Sequence, residues 1–578
     1  MRFKVKHILY STCLTALAFL QLGCMNSVAT NSVPGAFKYR EIYLPTTNPN
    51  DLVEMGLNSV DNDWGLWGHN LSNLLPDKPS LSVYARYDGI IDRHQFCFSS
   101  DKLYYYIKDY IDNNYGRNDS INFAILPNDN DIVCQCAECI KVGNTPDDAS
   151  PAVMKLIKKL CEKFPNHRFF TSYYASTRSI PEERLPDNAG VLVSAIVYPL
   201  NSRETPQEES FSKLLKNWQE KSENVYVWDY VNNFDDYFTP FPVFNVMQRR
   251  LQLYEKIGVD GVFLNGSGTD FSTFSHLHKA VLAKMLINPD IDWREELRAE
   301  ANRYYPTAGN DIADYIIAQE DYAATTGKTL PLYEGVENSL KTHLQSEPTR
   351  QLYEKIGQHI PGAIGIEKER LENLQSALSF TILELNRIEG KLKGSEDLLR
   401  NLEKFPRHQI EYYNEAYWPI AKYIGDYEVM LNNYRESEKT NLLKGVKITA
   451  LSQLDDDYND ISIITDGLLG FPSNYHNGNM IYSGENSLVL DIPRLPQMKT
   501  LRVWLAYNPA YRIGLPAELV LTVGGRELTA TPRKISRDTG HSMLEFKIPD
   551  VRGNIRLKFI KDPDLRSFAI EEIQAFSD

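Results

Sequence analysis

Between residues 36 and 300, short apolar runs alternate with helical patterns, and this constrains the fold more than any other feature of the chain. The runs lie at 36–44, 57–62, 94–99, 121–128, 168–175, 190–199, 224–231 and 259–265. Helical periodicity separates several of them, as at 100–114 and 151–164. Strands buried on both faces read as continuous apolar runs, and helices between them carry the crossovers of a parallel sheet. Eight such units predict a (β/α)8 barrel over 36–300. The run at 94–99 is the weakest of them, because 83–97 reads as a hairpin feeding it. From 301 to 445 apolar residues recur every three or four positions, as in Leu371, Leu374, Leu378, Ile382 and Leu385, which predicts a helical domain. From 446 to 578 the period falls to two, with Gly, Pro and Asn between the runs, which predicts a β-sandwich. The fold class is therefore α/β: a TIM barrel, a helical region and a C-terminal sandwich.

A barrel of this kind keeps its chemistry at the C-terminal ends of its strands. The run at 121–128 ends in Asn128-Asp129, and Asp129 is the candidate general acid/base. Asp229, near the end of the seventh run, is the candidate nucleophile or electrostatic stabiliser. The competing roles are a turn cap for Asp129 and an ion pair inside the barrel mouth for Asp229. Glu41 and Arg40 alternate in the first strand, so one points into the barrel and the other towards the helices. Glu41, Trp67, His69, Trp228, Tyr230 and Asn265 form the candidate substrate-binding set, with Trp64, Tyr173 and Tyr174 as further aromatics near strand ends. With 34 Tyr, 24 Phe and 7 Trp, the chain can both fill its cores and offer flat faces to sugar rings.

Cys134, Cys136 and Cys139 stand in C-x-C-x-x-C spacing just after Asp129. With Cys97 as a fourth thiolate they suit a structural tetrahedral zinc. Disulfides or reduced thiols are the alternatives. No cofactor is expected for catalysis: there is no phosphate-binding glycine loop, no H-E-x-x-H and no G-x-S-x-G. A net charge of −14 argues against nucleic acid as a partner.

The N-terminus reads as a targeting segment. Arg2, Lys4 and Lys6 precede an apolar stretch that ends in Leu20-Gln21-Leu22-Gly23-Cys24. This is similar to a bacterial lipoprotein cleavage site, with 1–23 as signal peptide and Cys24 as the lipidated residue. An exported lipoprotein of the periplasm or outer membrane, tied to the membrane by that anchor, is expected. Ordinary cleavage and secretion is the rival.

Several motifs stand together in order. They are Arg40-Glu41, Trp64 to Asn70 with His69, Pro127-Asn128-Asp129 with the cysteines, Trp228-Asp229-Tyr230, Gly261-Val262-Phe263, Ala283 to Asp290 and Tyr304-Tyr305. The chain thereby resembles the domain-of-unknown-function 4838 family over 36–310. Part of that family is classed as glycoside hydrolase family 163, whose classified members are endo-β-N-acetylglucosaminidases acting on complex N-glycans. The resemblance implies hydrolysis of a β-linked glycan carrying N-acetylglucosamine, on a glycoprotein or free glycan substrate. Where family members often end the last strand in Phe-x-Gln-Gly or a Glu-containing variant, this chain has Phe263-Leu264-Asn265-Gly266. The order Cys97, Asn128-Asp129, Cys134, Cys136, Cys139 is also similar to a zinc clamp in one family of barrel β-galactosidases, which have Glu in place of Asp129. The segment around Thr465-Asp466-Gly467 is similar to discoidin-like sugar-binding sandwiches. The reading that competes with an enzyme is a non-catalytic carbohydrate-binding barrel. A third is a structural lipoprotein with no glycan affinity.

Overall fold

A computed structural model describes residues 34–45, 50–87, 89–117, 120–404, 412–455, 458–484, 487–532, 539–551 and 553–577. The leader and Cys24 lie outside the described residues. Two compact units divide the chain: Met1–Leu332 with Ser339–Leu371, and Tyr333–Asn338 with Glu372–Asp578.

Among the described residues the first unit is built on nine strands: β1 (Tyr39–Tyr43), β2 (Trp64–Leu66), β3 (Tyr84–Tyr87), β4 (Ile90–Phe96), β5 (Asn122–Ala124), β6 (Arg168–Tyr173), β7 (Ala189–Ser194), β8 (Asn224–Tyr230) and β9 (Gly261–Asn265). Seven of them form one sheet in the order β1-β9-β8-β7-β6-β5-β2, and every pair in it is parallel. The sheet curls on itself. Tyr39 from one edge strand and Trp64 from the other share a buried cluster with Ala124, Phe170, Leu192 and Tyr226. The Trp64 indole donates to the Tyr39 hydroxyl at 2.8 Å. No backbone ladder joins β1 to β2 among the described residues, so the sheet is a curled half-barrel of seven strands and not the closed eight-stranded barrel expected. The Gly261 backbone leaves room for its neighbour's ring; a Cβ there would stand 2.7 Å from Tyr226.

Two strand expectations need correction. The run at 94–99 is not in the sheet: β4 pairs antiparallel with β3 in a separate two-stranded hairpin, and β2 pairs directly with β5. The segment leading into it, Asp92-Arg93-His94-Gln95, is too polar for a strand covered on both faces. The second strand is Trp64–Leu66, and 57–62 instead leads into a short helix, Val60–Asp63. Ser, Asn and Asp fill that stretch and favour turns and helix starts over strands.

Helices alternate with strands as expected, for example Asp101–Asn114, Ser150–Lys163, Pro206–Gln219 and Phe244–Ile257. The helical stretch 301–445 does not stand as a unit of its own; the boundary falls between Leu371 and Glu372. Amphipathic helices must bury their apolar faces on something. Gly309–Thr326 and Ser346–His359 do so in the first unit, and Ile420–Ser437 in the second.

The second unit carries β10 (Thr449–Ala450), β11 (Met480–Tyr482), β12 (Leu488–Ile492), β13 (Thr500–Tyr507), β14 (Ile513–Gly514), β15 (Glu518–Val523), β16 (Arg526–Ala530), β17 (Gly540–Lys547), β18 (Ile555–Ile560) and β19 (Ser567–Phe576). They form two sheets, β10-β12-β18-β15-β16 and β11-β19-β13-β17 with β14 beside β19; except for β14, all pairs are antiparallel. Alternate residues of both sheets, such as Leu490, Leu521, Leu557, Val503 and Ile570, share one core. That is the two-sheet sandwich the period of two predicts.

Candidate functional site

Side chains alternate along each strand, so parity decides which residues face the lumen of the curled sheet. On β8 the lumen set is Tyr226, Trp228 and Tyr230; on β1 it is Tyr39, Glu41 and Tyr43; on β9 it is Gly261, Phe263 and Asn265. Ring contacts agree with this parity. Trp67 stacks on Trp228 with centroids 4.9 Å apart and planes within 9°, and both rings meet Phe263 edge-on. Tyr43, on the same side, is 44% exposed, and its ring lies 6.2 Å from Phe263. The C-terminal mouth of the sheet is therefore floored by an aromatic platform. Trp228 keeps its indole N–H buried with no hydrogen-bond partner among the described residues, and a buried donor of that kind calls for an acceptor.

Polar groups converge beside this platform. Asp129 is exposed on the loop after β5. The Tyr174 phenol, just beyond β6, lies within the field of the Asp129 carboxylate and close to Tyr230. Burial, then the Asp129 charge, pushes the Tyr174 phenol well above its ordinary value, so it stays protonated as a donor. The next residue, Ala175, has φ +45°, a left-handed conformation costly for a residue with a Cβ and most often kept at functional turns. Ser194, the last residue of β7, lies 3.0 Å from the Tyr230 hydroxyl. His69 follows Gly68, whose φ of +63° makes the tight turn after Trp67. Its Nδ1 bonds the Pro127 carbonyl, which fixes Nδ1 as the donor and leaves Nε2 as an acceptor. Its ring centroid is 6.0 Å from that of Tyr174. Asn265 closes the set, its Cα in register with Tyr43 on one side and Tyr230 on the other.

Of the residues singled out from sequence, Trp67, His69, Asp129, Trp228, Tyr230 and Asn265 thus share the mouth. Two acids do not. Asp229 has the opposite parity on β8 and faces the helix layer, with no exposed surface. Its carboxylate pairs with Arg250 and accepts from the Tyr254 hydroxyl at 2.6 Å and its neighbour's backbone N–H at 2.8 Å. The nucleophile expectation is corrected: Asp229 is in an ion pair, and that pair lies in the helix layer and not inside the barrel mouth where the competing reading put it. Glu41 does face the lumen but is sealed below the mouth, 2% exposed. It accepts from the Tyr39 hydroxyl and, at 2.6 Å, from the Val60 backbone N–H. Burial raises its carboxyl to about 8 against those two bonds. It is a structural acid and does not reach the mouth to bind hydroxyls. Tyr43 and Ser194 were missed. Each ends a strand on the lumen parity, so carrying the alternation one step further would have found them.

The four cysteines also meet. The sulfurs of Cys97, Cys134, Cys136 and Cys139 all lie within 4.8 Å of one another, and Cys97 stands 3.7 Å from both Cys136 and Cys139. Bonded sulfurs would be about 2 Å apart. Four ligands at the corners of a tetrahedron about 2.3 Å from a zinc ion stand about 3.8 Å from each other. The residues present therefore fit a tetrahedral thiolate metal.

A family model described as a domain of unknown function (DUF4838) matches residues 24–317, half of the chain. The chain belongs to this family. No curated protein matches it. Among solved structures it is similar to a GH138 enzyme targeting pectin rhamnogalacturonan II, at 10% identity over 93% of this chain and 86% of that one, with a TM-score of 0.28. It is also similar to the family 32 carbohydrate-binding module of C. perfringens NanJ in complex with galactose, at 13% identity over 24% of this chain and 98% of that one, with a TM-score of 0.18. Neither superposition is close enough to carry fold or function across.

Proposed function

We propose that this DUF4838 protein binds a β-linked glycan at the mouth of its parallel sheet and that Asp129 cleaves it as general acid and then base. The observation that carries the proposal is the Trp67–Trp228 stack at the strand ends with Tyr230, bonded to Ser194, and the His69–Tyr174 ring pair beside it, where the Asp129 charge acts on the Tyr174 phenol. A sugar offers just what such a mouth accepts: an apolar ring face for the indoles and hydroxyls for His69 Nε2, Tyr230 and Asn265.

Asp229 is locked in the helix layer, Glu41 is sealed, and Asp131, on the same loop as Asp129, is paired with Arg178, so none of these three acids is offered as a nucleophile across the sugar. Glycoside hydrolysis without a protein nucleophile is open to substrates that carry their own, the oxygen of a 2-acetamido group. This favours an N-acetylglucosaminide, in keeping with the classified family 163 members. Asp129 would protonate the leaving oxygen while the acetamide oxygen attacks the anomeric carbon. The carboxylate would then take a proton from the water that opens the cyclic intermediate. Tyr174, its phenol kept protonated, would donate to the carboxylate, and Tyr230 and Asn265 would orient the acetamide. We place the protein outside the cytoplasm, anchored through Cys24.

The test is glycan release, read by mass spectrometry, from a complex N-glycoprotein incubated with wild type and with Asp129→Asn. Product that disappears in the variant supports the reading. Glycan affinity without product from wild type replaces it with a binding barrel.

A further inference from the structure

We infer that Cys97, Cys134, Cys136 and Cys139 hold one tetrahedral zinc ion, and that this clamp is the device that positions Asp129. The first half rests on the sulfur geometry above. The second rests on the hydrogen bonds between the clamp and the acid, which lead through one glutamine.

Cys97 directly follows β4, and Gln95 is two residues before it. Gln95 holds both residues that flank Asp129. Its Oε1 accepts from the Asn128 backbone N–H at 3.0 Å, and its Nε2 donates to the Asn128 carbonyl at 3.0 Å and to Asn130 Oδ1 at 2.9 Å. The neighbouring His94 carbonyl accepts from both Asn128 Nδ2, at 2.8 Å, and Asn130 Nδ2, at 3.0 Å. On the other side of the clamp, the Gln135 N–H donates to the Arg86 carbonyl at 2.7 Å and the Arg86 N–H reaches Cys134 Sγ at 3.3 Å. The β3–β4 hairpin is thus tied at one end to the cysteine loop and at the other to the Asp129 turn. It pairs with no other strand among the described residues, so no ladder fixes it to the sheet. A two-stranded hairpin alone is marginal in water. A cross-link through four thiolates supplies the constraint that the missing ladder does not. Gln95 itself is 2% exposed, and both ends of its amide bond this turn, with Oε1 also accepting from the Phe96 N–H at 3.0 Å. The expulsion of the 94–99 run from the sheet therefore has a use: it frees that segment to carry both a metal ligand and the support of the acid.

The positioning half rests on the proposed role of Asp129, but the metal half does not. Elemental analysis of protein purified without added metal should give one zinc per chain. Cobalt exchanged into the site should give the intense visible bands of a tetrahedral thiolate complex. Removing the metal with a chelator under reducing conditions should speed amide exchange in peptides covering 127–133 while leaving the β6–β8 peptides unchanged. Gln95→Ala should keep the zinc yet lower kcat about ten- to a hundredfold with KM nearly unchanged, since misplacement by about 1 Å costs that much. Cys136→Ser, at the least buried ligand, should weaken zinc retention and lower kcat alike. Metal-free protein carrying disulfides, seen as a mass two hydrogens lighter per bridge, or four freely reactive thiols, overturns the metal site. Zinc present with 127–133 exchange unaffected by chelation overturns the positioning role. If wild type shows no turnover, the proposed function fails, and zinc content and exchange still decide the clamp.

Discussion

Asp129 follows one strand of the curled sheet and Asp229 lies near the end of another, yet their surroundings are opposites. Asp229 lies under the helix layer with both carboxylate oxygens occupied: Arg250 on one, the Tyr254 hydroxyl on the other. Arg250 is itself without exposed surface and packs 4.1 Å from the centre of the Tyr198 ring. Asp129 stands exposed at the open mouth, with the Tyr174 phenol in its field and the cysteine loop following it in the chain. The first arrangement spends a charge on holding a helix to a strand. The second leaves a charge where a ligand can meet it. On β8 a single step of parity separates Asp229 from the lumen residues Trp228 and Tyr230, because a strand sends neighbours to opposite faces.

The contrast can be broken by substitution. The largest effect is expected at the mouth. Asp129→Asn should lower glycan release about 10²- to 10⁴-fold, the usual worth of a general acid–base, with stability changed by less than about 0.5 kcal/mol. Full turnover in that variant would remove Asp129 from the chemistry. Asp229→Asn should do the reverse. It leaves Arg250 buried without its counter-charge, so urea unfolding should show a loss of about 3–5 kcal/mol, while the folded protein keeps its kcat. An unchanged midpoint with a lost kcat would return Asp229 to the site.

Glu41 sharpens the comparison as a third case, an acid inside the lumen but below the mouth. Its carboxyl is raised from 4.5 to about 8 by burial, so the native state keeps a proton that the unfolded chain has already released. The unfolded state binds fewer protons across that interval, and stability from this group falls as pH rises between those two values. Glu41→Gln mimics the protonated acid. It should match wild type near about pH 5 and exceed it by roughly 2–4 kcal/mol near about pH 8.5 in denaturant unfolding. A parallel pH dependence in both proteins would count against the buried acid. The smallest effect is expected for Ser194→Ala, which removes one hydroxyl from Tyr230. A loss of about 1 kcal/mol should appear as a fewfold rise in KM, with kcat kept.

Legibility in the sequence followed the physics of each signal. The strands β6, β7, β8 and β9 were readable because burial on both faces demands unbroken apolar runs such as Val191-Leu192-Val193. The 94–99 run misled because Phe96, Cys97 and Phe98 are buried, but outside the sheet, where the hairpin meets the cysteine loop. The helical stretch looked like a domain because periodicity shows that a helix has an apolar face and says nothing about what covers it. Trp67, His69 and Trp228 were visible as aromatic and titratable residues at strand ends. Ser194 and Gln95 carried no chemical signal of their own.

What the sequence determined by itself is local: where the chain is extended or helical, which residues share a face, and that four thiols stand at metal-ligand spacing. The order of the strands, the sheet left seven-stranded, the inward or outward fate of Asp229, and the path from Cys97 through Gln95 to Asp129 were decided by tertiary structure. Side-chain periodicity is set by backbone geometry within a few residues. Strand neighbours, buried ion pairs and metal cages are set by which distant surfaces can exclude water from one another, and no local pattern encodes that choice.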